Sequence, residues 1–169
     1  EGVRYIEEIG DPHKINLRTL RLDIQKKHMS QSQKVRIQYS SKNASVANAW
    51  KKWQGEVKGI RKMKTVEKKQ QFEQMFDRWA KGGEFNGVVG KIEQIYKELE
   101  PYSFATDYYT ETARTIELAN FAAGIYADFT YDEATKELSF DAKKAAASAE
   151  AFYKDWHLPI DKECFVAVM

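Results

Sequence analysis

The sequence predicts an all-α protein, an antiparallel multi-helix bundle, and three observations carry that prediction. Apolar residues recur at steps of three and four through most of the chain. Only nine Gly and three Pro interrupt 169 residues. Strong start and stop signals, such as Lys81-Gly82-Gly83 and Asp141, fall between the periodic segments and leave mostly short connections.

Asp11-Pro12 opens the first predicted helix. Asp accepts the free amide hydrogens of a first turn, and Pro at the first helical position gives up a donor that has no partner there. This helix extends to about His28, with Ile15, Leu17, Leu20, Leu22 and Ile24 forming a wide apolar face. A second helix runs from about Gln31 to Gln54, and Gly55 and Gly59 punctuate the pattern. A third carries Ile60, Met63, Val66, Phe72, Met75, Phe76 and Trp79 on one face and stops at Lys81-Gly82-Gly83, where Gly tolerates a left-handed helix end. A fourth spans about Asn86 to Glu100 and ends before Pro101.

The segment from about Ser103 to Asp128, rich in small and aromatic residues, reads as a helix packed on more than one side. The period then breaks over Thr130 to Phe140, consistent with an exposed connection or short hairpin. Asp141 caps an Ala-rich helix to about Trp156, and after His157-Leu158-Pro159 a last helix begins at Asp161. The spacing assigns Tyr39, Trp50, Trp53 and Trp79 to the bundle core.

Length and composition suit one domain over residues 1–169. The longest apolar run, Phe121 to Ala127, falls far short of the roughly 18 residues a membrane span needs. The single Cys164 leaves no internal disulfide. The chain opens on Glu1-Gly2-Val3 with no charged-then-apolar leader and stops within the apolar run ending at Met169, so it reads as part of something longer, truncated at the C-terminus.

Charge divides unevenly. Residues 1–83 hold 19 Lys and Arg against 9 Asp and Glu, whereas residues 84–169 hold 8 against 16, so the halves attract. From Lys51 to Lys69 eight basic residues meet only Glu56 and Glu67. With Trp50 and Trp53 beside it, that stretch supports a reading as a stand-alone helical nucleic-acid-binding module. The competing reading is a solvated helix face turned toward the acidic half.

Legible catalytic patterns are missing. His13, His28 and His157 have no zinc spacing, the serines lack the strained Gly-rich turn of a nucleophile, and Gly87-Val88-Val89-Gly90 lacks a phosphate-binding pattern. Asn43-Ala44-Ser45 matches a glycosylation acceptor, but a helical position argues against its use. No metal, cofactor or catalytic residue is expected in this chain. The most specific polar residue is Asn48, set between Ala47 and Trp50. Its amide competes with the helix backbone, so it needs a partner, either a carbonyl of a neighbouring helix or a ligand.

Around it, Tyr39-Ser40-Ser41-Lys42, Ala47-Asn48-Ala49-Trp50-Lys51, Lys58-Gly59-Ile60 and Val66-Glu67-Lys68-Lys69, then Tyr153-Lys154-Asp155 and Asp161 to Ala167, resemble a known family. The chain is similar to the helical domain of the bacterial dipeptidyl-peptidases of the 7 and 11 types. These are chymotrypsin-like serine exopeptidases in which an α-helical insertion caps a double β-barrel. Asn43 departs from the pattern, where an aromatic residue is common.

The resemblance implies that the His-Asp-Ser triad and oxyanion hole lie in barrel parts outside this chain, which alone is inactive. It also implies that Asn48 helps hold the α-amino group of the substrate, and that the domain acts as lid and ruler. Its implied partners are peptide substrates and the β-barrel catalytic part, with room for a homodimer of the parent and without nucleic acid or a membrane span. The implied location is the periplasm or cell surface.

Overall fold

The computed structural model describes residues 2–126 and 128–168. Ala127, which closes the apolar run, and the terminal Glu1 and Met169 lie outside the described residues. Helices dominate: α1 (Gly2–Tyr5), a π-helical turn (Ile6–Gly10), α2 (Asp11–Gln31), α3 (Gln33–Met63), α4 (Thr65–Ala80) and α5 (Val88–Glu111). After a 3-10 turn (Ala113–Thr115) come α6 (Glu117–Tyr126), strands β1 (Phe129–Asp132) and β2 (Glu137–Phe140), α7 (Ala142–Asp155) and α8 (Leu158–Val168). The all-α prediction holds. The strands form the short antiparallel hairpin, with Phe129 opposite Phe140.

Several boundaries differ from the sequence reading, each for a physical reason. α2 starts at Asp11 as read, but Asp11 is no free cap: it is itself helical, and its N–H donates to the carbonyl of Ile6, five residues back, so a π-helical turn runs straight into it. That widened turn lies just before Pro12, which has no N–H to offer the preceding turn. Gly55 and Gly59 do not interrupt α3: a Cβ at either would meet nothing within 4 Å, so they lie where the helix needs no side chain. The break falls instead at Lys64, which adopts the left-handed conformation (φ 51°, ψ 47°) although it is not a glycine.

Pro101 lies inside α5, which therefore runs through to Glu111 instead of ending cleanly. The predicted 103–128 helix is accordingly split at the 3-10 turn. The last helix starts at Leu158, three residues before Asp161, with Pro159 in the first turn, where a missing donor costs nothing. Two boundaries agree with their signals. Ala80 ends α4 with Gly82 at φ 78°, and the Asp141 carboxylate accepts from the amides of Lys143 and Lys144.

The chain forms two compact units, with boundaries inside α2, α3 and α5. The first comprises residues through Arg18 and Ala47–Tyr109. Here Tyr5 donates to Asp107 at 3.0 Å, Arg4 pairs with Glu100 at 2.5 Å, and His13 packs against the Phe104 and Tyr108 rings, so α5 is held on both sides of Pro101. Lys14 and Arg18 lie over the Trp53 ring at 4.8 and 4.5 Å. Gly10 is obligatory by close approach, since a Cβ would come within 2.6 Å of the Tyr5 ring.

The second unit comprises Thr19–Val46 and the chain from Thr110 onward. Its core is Val35, Tyr39, Ile116, Ile160 and Cys164, with Ile24 and Met29 packed against it. The Tyr39 hydroxyl accepts from the His157 amide at 3.2 Å, and burial together with a hydrogen bond to Glu117 pushes the phenol well above its usual range. Asp161 is buried in α8 and caps a different helix from the one the sequence reading gave it. Its carboxylate accepts from the amides of Glu117 and Leu118 at 2.7 and 2.9 Å, satisfying donors at the start of α6, and from Trp156 Nε1 at 3.1 Å. Asn43, where the family favours an aromatic residue, instead donates to the buried Gln25 at 3.0 Å, a polar tie between α3 and α2.

Of the aromatics assigned to the core, Tyr39 is fully buried, Trp50 and Trp53 are half-buried, and Trp79 is 72% exposed. Trp79 stacks on Phe85 at 6.4 Å with the rings 17° apart, beside Phe76. The expected attraction between the charge halves appears in Arg4–Glu100, Lys42–Glu117 and Lys27–Glu163.

Candidate functional site

Asn48 lies in the middle of α3, in the first unit, and its side chain is exposed. Among the described residues nothing hydrogen-bonds its amide, so the neighbouring-helix carbonyl that the sequence left open is not its partner. An Asn in a helix interior costs about half a kcal/mol of helix propensity relative to Ala. Here no hydrogen bond among the described residues offsets that cost.

The surroundings of Asn48 follow from the helical repeat. Lys51, Lys52 and Gly55 fall within about one turn or two of it on the same side of α3, and all are exposed. Gly55 carries no side chain, so the backbone there is approachable. Lys51 and Lys52, one turn onward, place ammonium groups beside the amide. Spacing of three and four from Asn48 was the sequence signal for this pair, and the sequence reading had placed both in the longer basic stretch.

That stretch is solvated: all eight basic residues from Lys51 to Lys69 are exposed. It does not turn toward the acidic half as a unit, for Arg61 pairs with Glu7, a residue of the first half, at 3.4 Å.

The histidines are separate in role. His13 is held between aromatic rings, with its Nε2 buried and unpartnered among the described residues. His28 contacts Glu163 at 3.0 Å, and its ring lies 5.6 Å from that of His157. Burial, followed by His28 and Lys34, lowers the pKa of His157. Lys27 and His28 hold the Glu163 carboxyl below its usual range. Among the described residues no three His, Cys, Asp or Glu side chains gather as a metal site.

Ser30, Ser40 and Ser139 donate to the backbone carbonyls of Lys27, Arg36 and Thr130, which occupies their hydroxyls locally. Cys164 is buried, and burial pushes its thiol up to about 11, so it is a core residue and a poor nucleophile. Of the polar side chains singled out from sequence, Asn48 is exposed and makes no hydrogen bond among the described residues.

Comparison with known proteins supplies the family. Residues 1–169 match the Peptidase S46 family. The chain is 33% identical to an Asp/Glu-specific dipeptidyl-peptidase of Capnocytophaga gingivalis over 99% of its own length and 25% of that protein's. It is 32% identical to one of Flavobacterium psychrophilum, over 97% of the chain and 24% of the relative. Dipeptidyl-peptidase 7 of Porphyromonas gingivalis is 30% identical over 69% of the chain and 17% of its own length. The chain thus spans about a quarter of the length of the curated relatives it matches most fully. With its whole length matched and its helical architecture in place, the chain belongs to the peptidase S46 family.

Proposed function

We propose that this chain is the helical cap of an exported serine dipeptidyl-peptidase, that it covers the substrate cleft, and that Asn48 anchors the substrate's free α-amino group. The observation that carries this reading is the exposed and unspent amide of Asn48, at the position matching the family's motif. A side-chain carbonyl accepts from an ammonium, and with a carboxylate supplied by the barrel it fixes the amino terminus two residues from the scissile bond. A cleft so closed releases dipeptides, because a longer N-terminal extension has nowhere to go. The nucleophile, its base and the oxyanion hole belong to the barrel, so this chain alone is inactive. Closure over the cleft excludes water and supplies the conformational step of the cycle. The periplasm or cell surface is the proposed location.

The test uses the complete reading frame with dipeptidyl reporters bearing free or acetylated amino termini, in wild type and Asn48→Ala. Wild type should cleave only free termini, and Asn48→Ala should lose about 2–4 kcal/mol of transition-state stabilisation on them. Equal kcat/KM for wild type and Asn48→Ala on free termini would remove Asn48 from the site.

A further inference from the structure

The contacts of α1 in the first unit shift steadily along its neighbours. On α5, Tyr5 donates to Asp107, Arg4 pairs with Glu100, and Gly2 lies against the Tyr96 ring, where a Cβ would be 3.6 Å away. On the other side, Glu7 pairs with Arg61 near the end of α3, while Val3 and Arg4 border a small cleft with Val66, Gln70 and Glu73 of α4. Followed toward its amino end, the chain therefore moves along α5 from Asp107 toward Tyr96, and along α3 and α4 from Arg61 toward Glu73. Ahead of Gly2 both trends lead into a groove of about 460 Å³, lined by Gln70, Glu73, Gln74 and Asp77 of α4 and by Val89 and Ile92 of α5. Gln70 and Glu73 border both the cleft beside α1 and the groove beyond it.

We infer that the stretch of polypeptide joined to the amino end of α1 in the complete protein lies in this groove and packs on Val89, Ile92 and Ile95. The inference rests on the reading of the chain as one part of a longer peptidase. Continuity favours this occupant over a second copy or a separate partner. The apolar stripe of α5 is met by Gly2 at Tyr96, whereas Ile92 and Ile95, one turn back, are 48% and 55% exposed. A segment tethered beside the groove also fills it without the translational and rotational cost that a separate molecule meets. Charge adds a requirement. Glu73 and Asp77 have no ion-pair partner among the described residues, whereas Glu93, also on the groove, is held by Lys97 at 2.7 Å. The occupant therefore brings apolar side chains to α5 and at least one Lys or Arg to α4. From Val89 to Tyr96 α5 rises about 10 Å, so roughly three extended or seven helical residues span the groove. Packed there, they tie the unit that carries Asn48 to the polypeptide before it.

The experiment places the photo-crosslinking residue p-benzoylphenylalanine in the complete protein at Ile92 or, on the opposite wall, at Gln74, irradiates each variant and maps the products by mass spectrometry. The expected product is a crosslink within one molecule to a residue no more than about ten before Glu1, in a stretch that holds apolar residues and a Lys or Arg. Gln74 is exposed, so a probe there reports even where the bulkier ring at Ile92 displaces the segment, and a crosslink from either probe to that stretch supports the inference. Crosslinks that join two molecules identify a second copy as the occupant and overturn it. Crosslinks to chain beyond Met169 or far upstream of Glu1 overturn it too, as does the absence of crosslinks from both probes. The Asn48→Ala assay separates this inference from the anchoring role. Full activity there defeats the anchor and leaves the crosslinks standing, whereas crosslinks elsewhere beside a damaging Asn48→Ala defeat the groove assignment alone.

Discussion

Replacing Asp161 by alanine removes one buried carboxylate that serves three donors: the amides of Glu117 and Leu118 at 2.7 and 2.9 Å and the Trp156 indole at 3.1 Å. Each orphaned donor in a buried position costs about 1–3 kcal/mol, and loss of an N-cap alone costs about 0.5–2. The amides at the start of α6 recover part of this by reaching water, so the net loss expected is about 3–5 kcal/mol. For a chain of this size that lowers the unfolding midpoint by roughly 10 °C. Asp161→Asn keeps one acceptor oxygen and the shape but loses the charge that favours a helix N-terminus, so its loss should be about half as large. Thermal and urea unfolding followed by circular dichroism read both variants. If each lies within about 0.5 kcal/mol of wild type, the shared cap does not hold α6 against α8 and the account of the second unit's packing is wrong.

Three further outcomes follow from named contacts. Gly10→Ala forces a Cβ to within 2.6 Å of the Tyr5 ring, which its hydroxyl bond to Asp107 keeps in place, so stability should fall by about 1–3 kcal/mol; an unchanged midpoint contradicts the close approach. Cys164, with its thiol pushed up to about 11 by burial, should react with a thiol reagent only as fast as unfolding exposes it; rapid labelling of the folded protein refutes that placement. His157 binds fewer protons folded than unfolded, because its native pKa lies below the ordinary imidazole value. Stability should therefore decline as pH falls through about 6.5 and stop declining on this account below the native pKa. Glu163 adds a later loss as pH falls through its lowered pKa. His157→Gln should flatten the first decline, and an identical pH dependence in both proteins argues against it.

What the sequence revealed and what it hid divide along local and tertiary lines. The period of Phe72, Met75, Phe76 and Trp79 identifies a helix correctly, yet Phe72, Met75 and Trp79 are exposed, because periodicity reports a shared face and not what covers it. Asp141 acts as the local cap it resembles, since its partners are two and three residues away. Asp161 carries the same signal, but its amide partners lie 43 and 44 residues away, a relation only the fold creates.

Pro12 and Pro101 both read as boundaries; the first stands in the first turn of α2 as read, and the second is absorbed inside α5. A widened turn precedes the first, and contacts such as Arg4–Glu100 and Tyr5–Asp107 brace the helix around the second. Lys64 adopts a backbone conformation that its residue type does not announce. Asn48 was legible as an ill-suited helix residue with a motif around it. That its amide meets no hydrogen-bond partner among the described residues is a tertiary fact, which local sequence does not carry.

The central claim is that Asn48 receives the amino terminus of a peptide, and the most direct measurement is a structure of the complete protein with a bound dipeptide. The account predicts the Asn48 side-chain oxygen about 2.7–3.2 Å from the peptide's terminal nitrogen, with the α3 face closed over the first two residues. A dipeptide seated in the cleft with its amino group bonded elsewhere, and Asn48 still facing solvent, would contradict it.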